Sequence, residues 1–269
     1  MKKITGLQSV LLTALISAGL SGQAMAESKR VSDGIAPGDT NSKWLLGATV
    51  GGVNNEVIGE DSDTQGFFNI NLEYRGEKFF MAKDEIGYNL FRDSGMSFGV
   101  VASSKSGLLY DKDMYDDNKV LAHLKERDIT LDMGVYFIHN SDLGQLRMRV
   151  LEEVGGEHKG RSFDASYTFD LNYGGWRVNP YVATSYLTDD AVDYFFGVSQ
   201  AESTAQLAAY TGKATANVTA GLNTTYALTE NWDLGFGASV TKLGSGIADS
   251  SLITDDMLYA TWATVNYNF

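Results

Sequence analysis

The sequence predicts an all-β protein: a closed antiparallel transmembrane β-barrel of about 12 strands, preceded by a cleaved signal peptide. Three observations predict this fold class: an N-terminal export signal, repeated segments in which apolar and polar residues alternate, and a terminal Phe. The composition agrees, because 14 Tyr, 13 Phe and 29 Gly with only 2 Pro are typical of many strands joined by tight turns. The absence of Cys excludes disulfides and cysteine zinc sites, and the net charge of -13 argues against nucleic-acid binding.

The export signal occupies residues 1–26. Lys2 and Lys3 precede an apolar stretch over 10–20, and Ala24-Met25-Ala26 forms a small-x-small cleavage site. The apolar stretch is too short for a good transmembrane helix, and no later run reaches the roughly 18 apolar residues that a spanning helix needs. We therefore expect residues 27–43 to form a periplasmic tail and residues 44–269 to form either a soluble β domain or an outer-membrane barrel.

Alternation of period two defines the strands, and it is clearest in residues 68–75, where every second residue is apolar. Most of the segments approach the roughly 9 to 11 residues that a tilted strand needs to cross a bilayer. The predicted strands are 44–53, 66–75, 78–82, 86–91, 95–103, 128–139, 144–152, 161–171, 175–187, 213–228, 231–243 and 257–269.

The connections alternate between long and short. With twelve strands, the long connections 54–65, 104–127, 188–212 and 244–256 all fall at one end. Bacterial outer-membrane barrels have an even strand number, long external loops and short periplasmic turns. This parity supports the two shortest strands, 78–82 and 86–91.

Aromatic residues gather at the opposite, predicted periplasmic end, as an interfacial girdle requires; ordinary cross-strand packing is the alternative. They are Trp44, Tyr74, Phe137, Trp176, Tyr226, Trp232, Tyr267 and Phe269. Tyr267 and Phe269 also form a C-terminal signal of the kind that barrel insertion machinery reads. We therefore predict a cell outer membrane location, in contact with lipid and lipopolysaccharide.

The other strand face carries charges that a dry core could not hold unpaired. The predicted lumen charges are Glu73, Arg75, Asp132, Arg147, Arg149, Asp164, Asp170 and Arg177. If the turn at 172–175 makes a simple hairpin, Asp170 faces Arg177, and Arg149 similarly lies near Asp164. Such pairs would brace a narrow or partly filled lumen, whereas solvation of each charge is the alternative.

Several segments share their order and spacing with a known family. They are residues 194–202, which begin with Tyr194, Phe195, Phe196, Gly197 and Val198, and residues 207–210, 226–232, 243–251 and 265–269. On these segments the chain resembles the MipA/OmpV family of outer-membrane proteins, and residues 78–80 and 87–90 extend the likeness. The chain departs at Gln200 and at Ser251-Leu252, in predicted loops where the family often has Pro.

The resemblance implies a non-enzymatic scaffold that joins a murein-degrading lytic transglycosylase to a murein-synthesising penicillin-binding protein. It also implies two further roles, surface adhesion and the osmotic-stress response, and a small-solute channel is the alternative from the barrel itself. No cofactor and no catalytic set is predicted, because His123, His139 and His158 lie in unrelated segments. The acidic loops suggest weak, non-specific Mg²⁺ or Ca²⁺ association, although simple solvation is the alternative; the residues are Asp61, Asp63, Asp113, Asp116 and Asp117.

Overall fold

The structure is a computed structural model that describes residues 43–54, 56–59, 64–82, 84–93, 95–105, 118, 120–121 and 124–269. The predicted signal peptide and nearly all of the predicted N-terminal tail lie outside these residues. So do the five acidic residues predicted to attract divalent cations.

The chain forms thirteen β segments and two short helices in the described residues. The segments are β1 (Lys43–Asn54), β2 (Thr64–Arg75), β3 (Phe79–Ala82), β4 (Glu85–Asp93), β5 (Met96–Lys105), β6 (Thr130–Ser141), β7 (Gly144–Glu153), β8 (Arg161–Phe169), β9 (Leu171–Tyr173), β10 (Trp176–Leu187), β11 (Thr215–Ala227), β12 (Trp232–Lys242) and β13 (Met257–Asn268). The helices are α1 (Asp189–Phe196) and α2 (Ser245–Ala248). Neither helix, nor any other in the described part, is long and apolar enough to cross a membrane.

The segments form one closed antiparallel barrel. Each pairs with its neighbours in chain order, and β13 pairs with β1 to complete the ring. Because β8 and β9 both pair with β10, they are two parts of one strand, and the barrel has twelve strands. The predicted fold class and strand count are confirmed. Closure matters because an open sheet edge in lipid would leave backbone hydrogen-bonding groups unpaired.

The alternation of the sequence maps onto the two faces of the wall. In β7, the odd-numbered residues from Gln145 to Glu153 are buried inside, while Val150 points outward and is exposed. Outward residues elsewhere are also apolar, such as Ile70, Leu90 and Val135. An apolar outer surface around an interior rich in polar and charged side chains excludes the soluble β domain, in which the apolar face would be buried.

Of the two strands predicted to be shortest, β3 and β4, only β3 is short. β3 has four residues and pairs with β2 only at Tyr74–Met81 and Arg75–Phe80. β4 is longer, with nine residues, and pairs along most of its length with β5. Thr64, the first residue of β2, pairs with Asn54 of β1. β2 therefore extends well beyond the β3–β4 hairpin, toward the end of the barrel where the long connections lie.

Asp170 interrupts the predicted strand 161–171 and separates β8 from β9. The following turn is Gly174–Gly175, whose φ angles of 55° and 86° suit a two-residue hairpin turn. In this register Arg177 pairs with Asn172, not with Asp170 as we predicted. The prediction was wrong because it assumed a four-residue turn at 172–175, which displaces the pairing by two residues.

Candidate functional site

The long connections do not simply extend into solvent: they pack together at one end of the barrel. We call this packed layer the cap, and this end the long-loop end; the other is the short-turn end. The buried apolar residues of the cap are Val57, Leu121, Leu124, Leu187, Ala191, Val192, Phe195, Phe196, Val198, Leu207, Leu243, Ile247, Leu252, Ile253 and Leu258. A buried hydrophobic cluster therefore lies at the long-loop end.

Segments that carry the family resemblance meet in the cap. The Ser250 hydroxyl donates a hydrogen bond of 2.6 Å to the Phe196 carbonyl, and the Tyr210 hydroxyl donates one of 2.8 Å to the Gly246 carbonyl. Val198 pairs with Tyr210 as an isolated bridge. The side chain of any other residue at position 246 would collide with the Lys213 backbone. These sequence segments are thus explained by their packing against each other.

Two further connections are tied to the cap by hydrogen bonds to backbone carbonyls. Ile58 N–H donates to the Leu252 carbonyl over 3.0 Å, and Val57 pairs with Ile253. The Asn118 amide donates to the Ile58 carbonyl over 3.2 Å. The connections after β1, β5, β10 and β12 therefore contribute to one structure.

Glu202 fixes the segment before β6 to the cap. Its carboxylate accepts hydrogen bonds from the Ser199 hydroxyl at 2.6 Å and the Lys125 backbone N–H at 2.9 Å, and Arg127 Nη1 lies 3.4 Å away. Burial raises the pKa of Glu202, but the hydrogen bonds from Ser199 and Lys125 and the Arg127 charge outweigh it and lower the pKa to about 2. The carboxylate therefore stays charged under physiological conditions.

His158 connects the loop between β7 and β8 to α1. Its ring lies 5.2 Å from the ring of Tyr194 and 5.3 Å from that of Phe195, measured between centroids. Nδ1 accepts a 2.9 Å hydrogen bond from Gly160 N–H, and the buried Nε2 has no hydrogen-bond partner among the described residues. Burial lowers the pKa of His158 below its ordinary value.

Below the cap, the barrel interior contains a network of paired charges. Arg147 Nη2 lies 2.6 Å from Glu85 Oε1, Arg149 Nη1 lies 2.8 Å from Glu85 Oε2, and Arg149 Nε lies 3.0 Å from Asp164 Oδ2. All four side chains are nearly inaccessible; Arg147 is only 2% exposed. The network brings β4, β7 and β8 together by short ion pairs on one side of the interior.

Six of the eight charges predicted for the lumen are buried: Glu73, Arg75, Asp132, Arg147, Arg149 and Asp164. Arg75 pairs with Glu73 at 3.1 Å, and Lys105 lies 2.6 Å from Asp132. Sequence reasoning missed Lys105 because the predicted strand ended two residues too soon, and it missed Glu85 because the predicted strand began one residue too late. Both follow the inward period of two in β5 and β4, and longer strands would have included them.

The other two predicted lumen charges lie at the short-turn end. Asp170 is half-buried and accepts a 3.1 Å hydrogen bond from the Asn179 amide. Arg177 is exposed, although it has the same inward parity as Asn179 and Tyr181 in β10. The reason is the position of Arg177 in the second residue of β10, next to the Gly174–Gly175 turn, where the wall ends.

The predicted aromatic girdle takes the form of cross-strand pairs at the short-turn end. Trp44 stands opposite Tyr74, Trp176 opposite Tyr226, and Trp232 opposite Tyr267, with ring centroids 4.8 to 5.1 Å apart. The interfacial girdle and the cross-strand aromatic packing, which were alternatives from the sequence, therefore involve the same residues. Phe269 follows the last strand, and its N–H donates to the Trp44 carbonyl over 3.0 Å.

Within the described residues, no group of three or more His, Cys, Asp or Glu side chains could hold a metal ion. The arrangement is instead a barrel interior with paired charges and two small apolar clusters, an apolar outer wall, an aromatic belt and a packed cap. These features define the class: an outer-membrane β-barrel protein.

Comparison with known proteins gives the particular family. The family model for MltA-interacting protein MipA matches residues 46–269, and the chain belongs to this family. It is 26% identical to the outer membrane protein OmpV of Vibrio cholerae, over the full length of both chains. It is 24% identical to the MltA-interacting protein of Escherichia coli, covering 84% of this chain and 90% of that one. The predicted family and outer-membrane location are confirmed.

Solved structures with a similar course of the chain include other outer-membrane proteins. The toluene transporter TodX of Pseudomonas putida is 10% identical, with a TM-score of 0.41 over 92% of this chain and 93% of that one. The COG4313 outer membrane channel of Pseudomonas putida F1 is 9% identical, with a TM-score of 0.42 over 87% of this chain and all of that one. We draw no functional conclusion from these likenesses.

Proposed function

We propose that this protein is a non-conducting outer-membrane scaffold that holds a murein-degrading lytic transglycosylase, and with it a penicillin-binding protein, at the periplasmic face. The observation that carries the proposal is the cap. A barrel that passes solutes needs a continuous aqueous path, and a cluster of buried apolar side chains at the long-loop end stands against such a path. The E. coli relative named MltA-interacting protein supports the choice of partner.

The partner would dock at the short-turn end, which faces the periplasm in outer-membrane barrels. Two apolar side chains are strongly exposed there: Leu143, in the turn between β6 and β7, is 72% exposed, and Tyr173, at the end of β9, is 83% exposed. A stable interface buries on the order of 800 Å² per partner, more than these turn tips alone supply. We propose that residues 27–42, which precede Lys43 in the chain, supply the remainder.

A binding assay tests the scaffold. Full-length protein in detergent is passed over an immobilised lytic transglycosylase, and retention is measured for wild type and for the double variant Leu143→Arg, Tyr173→Glu. We expect at least a tenfold loss of affinity in the double variant. Ala205→Glu, an exposed cap substitution at the other end, is the matched control and should bind as wild type does. Absence of wild-type retention would refute the scaffold.

The second candidate is a small-solute channel, which the interior favours. Eight strands enclose an interior that side chains just fill, and twelve strands enclose a wider one; here it is lined by polar residues such as Thr49, Asn217 and Thr219. Planar bilayer recordings at neutral pH distinguish the two. Stable unit conductance steps in the wild-type protein would favour the channel, and their absence would favour the scaffold.

A further inference from the structure

His158 occupies a place in the cap where a change of charge has mechanical consequences. The ring fills the space between the 154–160 connection and α1, against Tyr194 and Phe195. On the same contact, Gly160 approaches Ala191 of α1 so closely that a side chain at position 160 would collide with it. The 154–160 connection and the cap helix are therefore packed against each other around this imidazole.

The connection itself is held rigidly. The Glu153 carboxylate accepts hydrogen bonds from the backbone N–H groups of Gly156, His158 and Lys159 at 2.7 to 3.2 Å. Lys159 has a positive φ of 54°, which is unusual for a residue with a side chain. The imidazole thus has little freedom to move away from α1 unless the contact between the two elements opens.

The hydrogen bond to Nδ1 makes the contact specific for the neutral ring. Gly160 N–H donates to Nδ1 over 2.9 Å, so this nitrogen must be an unprotonated acceptor. Protonation would place an N–H at Nδ1 directly opposite the Gly160 N–H and would leave a positive charge partly shielded from water. Two donors cannot share this hydrogen bond, and the charged ring would be stabilised by moving into water.

Charged groups on every neighbouring element bear on this protonation. Asp132 of β6, Glu153 of β7 and Asp190 of α1 favour the charged ring, and Lys105 of β5 opposes it. Asp132 is already paired with Lys105, and Glu153 is engaged by the loop backbone. Desolvation is the largest effect and leaves the pKa of the packed ring below its ordinary value.

We propose that His158 is an acid-sensitive latch of the cap: its neutral ring holds the 154–160 connection against α1, and its protonation releases α1 and opens the long-loop end. The sign follows from the lowered pKa in the closed state. Closure is fully supported above the ordinary His pKa of about 6.5 and is weakened as the pH falls below it. The ratio of open to closed cap would rise by at most about tenfold per pH unit.

Accessibility of a buried cysteine tests the latch. The chain has no Cys, so Val198→Cys introduces one thiol, buried in the cap next to the helix. Full-length protein in lipid vesicles is exposed to a membrane-impermeant thiol reagent at pH 7.5 and pH 5.0. Each rate is divided by that of Ala201→Cys, an exposed cap position, which cancels the pH dependence of the reagent. We expect the normalised rate to rise at least fivefold at pH 5.0.

Variants of histidine assign the effect. In the Val198→Cys background, His158→Gln keeps an acceptor for Gly160 but cannot be protonated, and His158→Phe keeps the aromatic packing. Both substitutions should abolish the rise in labelling rate at pH 5.0. This holds even if a substitution loosens the cap and raises the rate equally at both pH values. His139→Asn, an exposed histidine at the end of β6, is the control and should retain it. The proposal would be overturned if the normalised labelling rate of Val198→Cys with His158 intact did not rise at pH 5.0, or if the rise persisted after His158 was substituted.

Discussion

The two ends of the barrel are closed to different degrees, and they are built from different kinds of contact. At the long-loop end, connections and strand ends from distant parts of the chain bury fifteen of the described apolar residues in one cluster. At the short-turn end, the connections are tight, the aromatic side chains point outward in neighbouring pairs, and charges such as Arg177 are exposed. The comparison teaches that the barrel wall alone does not determine whether the interior is accessible; the length and composition of the loops do.

The largest effect is expected for Arg149→Leu, beneath the cap. The substitution leaves Glu85 with Arg147 alone and removes the ion pair between Arg149 and the buried Asp164. Breaking a buried ion pair from one side costs about 3–5 kcal/mol. Urea unfolding of the protein in lipid vesicles measures this loss of stability. Arg177→Leu, at the open short-turn end, is the control and should change stability by less than about 0.5 kcal/mol. Equal losses would contradict the difference between the two positions.

Phe196→Ala separates the closure of the long-loop end from the stability of the wall. Its side chain is 2% exposed in the centre of the cap, and truncation of a buried Phe costs about 3–5 kcal/mol. We expect external protease to cleave the 188–214 connection much faster and conductance steps to appear in planar bilayers. The outward residue Phe236 provides a matched substitution, Phe236→Ala, that should leave both unchanged. A silent Phe196→Ala barrel would mean that something other than the cap blocks conduction.

Val150→Arg tests the wall midway between the two ends. Val150 points into lipid near the middle of β7, where a cation costs about 2–4 kcal/mol. Folding into vesicles should therefore be slower and less complete than for wild type, as gel migration of folded protein would report. The equivalent outward substitution near the short-turn end, Leu171→Arg, should have a smaller effect, because the interface tolerates charge. If Val150→Arg folds as well as the wild-type protein, the assignment of the inward and outward faces of β7 is wrong.

Glu202→Gln is expected to have the smallest effect, confined to the cap. The amide can replace one accepting oxygen but not both, and it removes the charge near Arg127, at a cost of about 1–3 kcal/mol. Because the pKa is lowered to about 2, the stability that the carboxylate contributes is fully present above its ordinary value near 4.3 and is lost only as the pH falls toward 2.

The loss of cap stability in Glu202→Gln should therefore be the same at pH 5.0 and pH 7.5. The thiol labelling rate of Val198→Cys, with and without Glu202→Gln, measures this loss. Such constancy distinguishes this residue from His158, which is expected to respond within that range. A loss that disappears at pH 5.0 would show that the carboxylate is protonated there.

Much of the wall could be predicted because its determinants are local. Alternation along β2 or β7 places each residue on one face of a strand, and each short turn sets the register of the two strands it joins. The predicted proximity of Arg149 and Asp164 depends only on such a hairpin, and the structure has the two residues directly opposite each other. The Asp170–Arg177 prediction failed on the same principle, since Gly174 and Gly175 make a shorter turn than the one assumed.

The sequence by itself determined the barrel: its strand number, the lipid-facing side of each strand, the ends at which long and short connections gather, and the family. Only the tertiary structure decided that those long connections form a cap, that Glu85 joins Arg147 and Arg149, and that His158 packs on α1. The physical reason is the separation of the partners along the chain. Phe196 meets Ser250 and Glu85 meets Arg147 only after the ring has closed, and no short-range periodicity records such contacts.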